Sequence, residues 1–217
     1  MIIYSHGFGV RKDARGIFTA IEEALPDAEH AMFDYNEVDP VKNRIRVPSI
    51  AKQTEQLQQK INEIKQRYPG ATLHLVGHSL GCVVAGLANV DGIESIVLLA
   101  PPIDLKNAEK RMRNRLFARL RINWRGEIKV KRRDGVTLVI THDYRKSRHG
   151  INPVELYNRL AQRAKVVVIG ASDDKLLGRL DFSGLAKNIR TLVLKADHNF
   201  SNDARDKVVA EVVGILR

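Results

Sequence analysis

The sequence has a single cysteine, Cys82, so no internal disulfide can form and a cysteine-rich zinc site is excluded. It contains no hydrophobic run approaching a membrane span, no Ser/Gly/Pro-rich tract, no internal repeat and no low-complexity segment. Its opening residues, MIIYSHGFG, show neither the charged start nor the long apolar stretch of a secretory signal. These absences set the expectation of a soluble cytoplasmic protein, with Cys82 as a small buried apolar residue. Nothing reads as a flexible linker, and 217 residues suffice to bury a sizeable core, so one domain over residues 1–217 is expected.

Acidic residues are scarce in one segment. The formal net charge is +11, and residues 106–133 hold 12 Lys/Arg against Glu109 and Glu127, a net of +10, leaving 24 basic and 23 acidic residues elsewhere. The basicity therefore belongs to one stretch and not to the chain as a whole.

Around that stretch, strands and helices alternate. MIIYS is an apolar run ending in a loop, and DARGIFTAIEEAL places Ile17, Phe18, Ile21 and Leu25 at helical spacing before Pro26. AEHAMFDY reads as a second strand, followed by a polar loop. Ser49 can cap a helix whose stripe is Ile50, Leu57, Ile61, Ile64 and Tyr68. ATLHLVG, ESIVLLA, KVVVIG and RTLVLKA read as further strands, with helices after Ser79, near 153–164 and from about 203. Such alternation predicts a parallel sheet covered on both faces. The basic segment breaks the rhythm as an insertion over about 104–150, with a helix near 107–121 and a hairpin turning at Asp134 and Gly135.

The chemistry is concentrated at loops that follow strands. GHSLG, Gly77 to Gly81, sets G-x-S-x-G between a strand and a helix, the context in which a sharp turn lifts a serine above a sheet. Ser79 is thus a candidate nucleophile, and its hydroxyl needs a base to act at neutral pH. Of the seven histidines, His198 in ADHNF stands between the last strand and the last helix, at the carboxyl edge that Ser79 also occupies. The imidazole in turn needs an acid. GASDD supplies Asp173, the favoured candidate, and Asp174, which reads as a solvated or capping residue. Asp104 is a third candidate, explained more simply as the cap of the helix in the insertion. Oxyanion donors are expected at the backbone amides of Leu80 and of Phe8 in SHGFG, with His6 and His78 in structural roles.

HGFG, GHSLG, GASDD and ADHNF, in that order across nearly the whole chain, resemble the motifs of the α/β-hydrolase superfamily. The placement of the insertion is similar to the lid of bacterial feruloyl and cinnamoyl esterases. The resemblance implies a serine hydrolase acting on carboxylic esters through an acyl-enzyme, with the triad Ser79, Asp173 and His198 and no metal or cofactor required. Because the sequence starts at the strand preceding HGFG, the resemblance carries the expectation of a sheet without the two antiparallel strands that usually open this fold. About six parallel strands are then expected, a minimal form also found in the retinoblastoma-binding-protein-9-like group. In a lid, Leu116, Phe117, Leu120, Ile122 and Trp124 would form an apolar underside. The arginines would attract a small ester substrate bearing negative charge, or alternatively RNA, an anionic membrane or an acidic partner.

Overall fold

The computed structural model describes residues 1–108, 110–111, 126–132, 134–178 and 180–217. The first strand, β1 (Ile2–Ser5), is buried along its length, and α1 (Ile17–Ala24) follows it. The helix starts at Ile17, where its apolar spacing begins, because Ala14, Arg15 and Gly16 take φ of 48°, 61° and 81°, outside the helical region. Next come β2 (His30–Ala31), β3 (Glu37–Asp39), β4 (Arg44–Val47) and α2 (Ile50–Arg67), the last capped by Ser49, whose hydroxyl accepts the Lys52 amide at 3.2 Å. Then β5 (Leu73–His78), α3 (Leu80–Leu87) and β6 (Ile93–Leu99) run in succession. They are followed by β7 (Ile128–Lys131), β8 (Thr137–Ile140), α4 (His142–Ser147) and α5 (Pro153–Leu160). The chain closes with β9 (Lys165–Ala171), β10 (Arg190–Leu194) and α6 (Asp203–Leu216).

Six of these strands form one sheet in the order β10-β9-β6-β5-β1-β2, and every neighbouring pair is parallel. Alternate residues feed two apolar layers. Ile3, Leu75, Leu98 and Val168 face Leu57, Val83 and Leu156 of α2, α3 and α5, whereas Ile2, Val76, Val97 and Ile169 face Phe18 of α1 and Val208 of α6. The sheet buried between helices is an α/β-hydrolase-like fold. The strand order reverses between β1 and β5, so the loops leaving these two strands diverge and open a crevice at the carboxyl edge.

A second sheet has the order β3-β4-β8-β7. The hairpin turns where expected, with Gly135 at φ 83°. Its partner was not legible: β8 pairs in parallel with β4 from Arg44↔Thr137 to Val47↔Ile140, so the expected polar loop contributes two strands. Ile45 and Val47 are buried with Ile128, Val130, Leu138 and Ile140. The alternation of Arg44 and Arg46 with Ile45 and Val47 spans only 4 residues, too short a period-2 signal to stand out.

Residues 105–108 and 110–111 are helical. The rest of the helix expected near 107–121, with Leu116, Phe117, Leu120, Ile122 and Trp124, lies outside the described residues. Among the described residues no helix is long and apolar enough to cross a membrane.

Candidate active site

Ser79 sits at the end of β5 with φ 54° and ψ −122°, a conformation rarely taken by residues other than glycine. Its neighbours make the turn possible. A Cβ on Gly81 would stand 1.9 Å from the carbonyl oxygen of Ser5, and one on Gly77 would stand 3.1 Å from Cα of Cys82. α3 can therefore leave β5 at this angle only while Gly81 lacks a side chain, and a Cβ at Gly77 would press on the backbone of the turn. Cys82 packs fully buried behind the turn, and burial pushes its thiol well above its ordinary range, as befits a core residue.

His198, in the loop after β10, brings Nε2 to 2.9 Å from Ser79 Oγ. Its Nδ1 lies 2.6 Å from Oδ2 of Asp174, which is buried. The acid that meets the histidine is thus Asp174 and not Asp173, for a reason rooted in the strand. Beyond β9 the ladder to the following strand continues, with the Ser172 amide on Leu194 O and the Asp173 amide on Ala196 O, both at 2.9 Å. Ser172 and Asp173 form a turn there, and the Asp173 side chain is exposed. The turn closes at Asp174, whose amide reaches back to Ala171 O at 3.3 Å and whose side chain is buried.

Asp174 does cap, as its sequence context suggested, since Oδ1 accepts the amides of Leu176 and Leu177 at 2.8 and 2.9 Å. Those two bonds fix the carboxylate plane and leave Oδ2 for His198. Burial alone would raise the Asp174 pKa. The bond and charge of His198, with the Leu177 and Leu176 amides, outweigh it and hold the carboxyl below its usual range. Asp104 caps the helical turn after it, accepting the amides of Lys106 and Asn107 at 2.8 and 3.0 Å.

The other two histidines near the site orient backbone. The Tyr35 amide donates to His6 Nε2 at 2.9 Å, so Nδ1 carries the proton and donates to Gly7 O at 3.0 Å. In a trans peptide the amide points opposite the carbonyl, so this bond also sets the direction of the Phe8 N–H. Leu80, the first residue of α3, has an amide with no intrahelical acceptor. His78 Nε2 lies 3.0 Å from the carbonyl oxygen of His198. Burial first, and the neighbouring His198 second, drive the His78 pKa down to about 3, so it is neutral at neutral pH.

Sequence reasoning missed several supporting residues. Tyr35 donates to Ser5 Oγ at 2.8 Å, and Ser5 in turn donates to Gly81 O at 2.7 Å, joining the serine turn to the end of β1. Arg132 of the hairpin donates to Gly9 O at 2.6 Å, and the Phe8 and Tyr144 rings lie 4.9 Å apart. The second sheet is therefore fastened to the HGFG loop. Only the pairing of distant segments reveals these roles.

A cavity of about 180 Å³ opens over Ser79 and His198, walled by Phe8, Leu80, Leu105, Tyr144, Leu176 and Leu177 among others. Such a concave, largely apolar pocket around a serine–histidine–carboxylate relay is suited to acyl transfer.

The sequence pattern of the PGAP1-like alpha/beta domain matches residues 9–198. No curated protein matches the chain in sequence. In structure the chain is similar to Est1E from Butyrivibrio proteoclasticus, at 16% identity and TM-score 0.70, covering 99% of this chain and 86% of that one. A structure of Est1E with ferulic acid bound superposes with TM-score 0.71. The esterase domain of a Rhodothermus marinus protein is 19% identical at TM-score 0.65, covering 99% and 85% of the two chains. A monoacylglycerol lipase from Paleococcus ferrophilus is 16% identical at TM-score 0.61, with 99% and 93% covered.

Proposed function

The chain belongs to the PGAP1-like alpha/beta domain family, and we propose that it is a serine hydrolase of carboxylic esters, with Ser79 as nucleophile, His198 as base and Asp174 as triad acid. The observation that carries this reading is the continuous relay from Asp174 Oδ2 through His198 to Ser79 Oγ, at 2.6 and 2.9 Å. Esterases and a lipase among the structural neighbours support it, although at their low identity they speak to the fold.

Ser79 Oγ attacks the ester carbonyl carbon while its proton passes to His198 Nε2. Asp174 keeps the other ring proton on Nδ1 and stabilises the imidazolium. The carbonyl oxygen becomes an oxyanion, held by the amides of Leu80 and Phe8. Collapse breaks the bond to the alcohol, which leaves with the proton from His198, and the acyl group stays on Ser79. Water then attacks the acyl carbon, giving its proton to His198, and the carboxylic acid departs as Ser79 regains its hydrogen.

The segment 104–150 acts in this reading as a lid within a single domain and selects the substrate. Of its basic part, the described hairpin packs against the loop that carries Phe8, with Arg132 on Gly9 and Leu138 against the same glycine. That favours a substrate-facing role over a separate surface for RNA, membrane or an acidic partner.

The reading is tested by labelling with a fluorophosphonate probe. The parent protein should label, Ser79→Ala should not, and His198→Ala should label far more slowly. A folded parent that resists labelling, or labels equally in Ser79→Ala, would overturn the assignment.

A further inference from the structure

Two guanidinium-bearing residues line the cavity above Ser79, Arg15 from the loop after β1 and Arg148 from the end of α4. No aspartate or glutamate is among the described residues that line it. The rest of the wall is largely apolar; Arg148 is half-buried, and Arg15 is open to solvent.

The Arg15 backbone and the Arg148 side chain are each tied to segments that carry the site. Arg205 donates from Nη1 and Nη2 to the Arg15 carbonyl at 3.4 Å, and from Nη2 and Nε to Asn199 O and Phe200 O at 3.0 and 3.1 Å. It thereby joins the segment carrying Arg15 to the loop carrying His198. The Arg148 guanidinium lies 5.1 Å above the Tyr144 ring, which packs against Phe8, the residue whose amide faces the oxyanion in the mechanism above. Burial, and then the charge of Arg132, lower the pKa of Arg15, with Asp134 and Asp13 opposing. Neither of those acids lines the cavity.

We propose that the substrate is an ester bearing an anionic group, a carboxylate or a phosphate, that Arg15 and Arg148 hold while Ser79 attacks the carbonyl. This deepens the serine-hydrolase reading and rests on it. Guanidinium forks match the paired oxygens of either anion, and the ligand would bring a negative charge that none of the described lining residues carries.

The experiment compares 4-nitrophenyl butyrate with its anionic counterparts, mono-4-nitrophenyl succinate and 4-nitrophenyl 3-phosphonopropanoate. In the parent, kcat/KM for at least one anionic ester should exceed that for the neutral ester by about tenfold or more. The anion favoured of the two distinguishes carboxylate from phosphate recognition. The preference should fall by a similar factor in Arg15→Gln and in Arg148→Gln, and should survive in Arg163→Gln, a surface cation paired with Asp91 at 3.3 Å. Neutral-ester turnover without anionic preference, or a preference untouched by both substitutions, overturns the inference and leaves the hydrolase reading intact. Calorimetric titration of Ser79→Ala with monomethyl succinate against methyl butyrate reads the same recognition without turnover. There, tighter binding of the anion that is lost on adding Arg15→Gln supports the proposal, and equal binding overturns it.

Discussion

His78 Nε2 donates to the carbonyl oxygen of His198 across 3.0 Å, so the residue before the nucleophile holds the backbone of the base. A carbonyl can only accept, which places the ring proton on Nε2, and a neutral ring is what its pKa of about 3 demands. Asp174 orients the His198 side chain from one direction while His78 holds its main chain from another. Serine turn and histidine loop, 119 residues apart in sequence, are thereby locked at two points.

Replacing His78 by Phe should therefore lower kcat for a neutral ester by about tenfold with little change in KM, since it removes one buried hydrogen bond and no substrate contact made through a proton. His78→Gln keeps an amide donor and should recover part of the loss. Equal damage in both variants, or an effect confined to KM, would count against a positioning role.

Asp174 and Asp173 are adjacent in sequence and opposite in environment, which makes them a clean pair for substitution. Asp174→Asn should cut kcat by about 10³-fold or more, because the amide cannot stabilise the imidazolium and favours the wrong tautomer. Asp173→Asn should stay within about twofold, the expectation for an exposed side chain whose side-chain hydrogen bond among the described residues is with Ser172 Oγ, at 3.3 Å. Steady-state kinetics on one ester with both variants decides it, and a large loss in Asp173→Asn would overturn the geometric assignment.

That pair also marks where sequence reading stops. Ser79 and His198 were legible because each stands in a short motif at a strand end, and the parallel sheet announced itself through apolar runs alternating with helices. The choice between Asp173 and Asp174 depended on how the turn at Ser172 and Asp173 is set beside the segment after β10, a property of long-range pairing. β4 was hidden for a related reason. Its partner β8 lies over 90 residues away, and half of its side chains are arginines that read as loop. Local spacing reports which face of an element is apolar, whereas long-range pairing decides what that face meets.

Arg132 couples the second sheet to the HGFG loop through its bond to Gly9 O at 2.6 Å, while also pairing with Asp134. Arg132→Gln should loosen that loop and with it the Phe8 amide, lowering kcat by several-fold, on the order of one lost charge-assisted hydrogen bond. Arg46→Gln breaks an exposed pair with Glu127 on the same sheet, at 2.6 Å, and should change kcat little. Parallel kinetics and thermal melts separate the two effects. If both variants behave alike, the hairpin is not coupled to the oxyanion loop.

Acid should destabilise the protein well above the pH at which most carboxylates protonate. In the unfolded chain His78 takes up a proton near its ordinary value of 6.5, but the folded protein resists protonation until about 3. The stability contributed by neutral His78 is thus fully present above 6.5 and is lost progressively as pH falls toward 3, at roughly 1 kcal/mol per pH unit. His6, lowered chiefly by burial, acts in the same direction. Asp174, whose carboxyl is held below its ordinary 3.8, adds a further loss at the acid end. Urea denaturation at pH 7, 6 and 5 should give falling unfolding free energies, and the slope should be shallower in His78→Gln, which cannot titrate. A stability that stays level from pH 7 to 5 would mean that His78 finds a proton-accepting environment when folded, and the tautomer that places it on the His198 carbonyl would have to be abandoned.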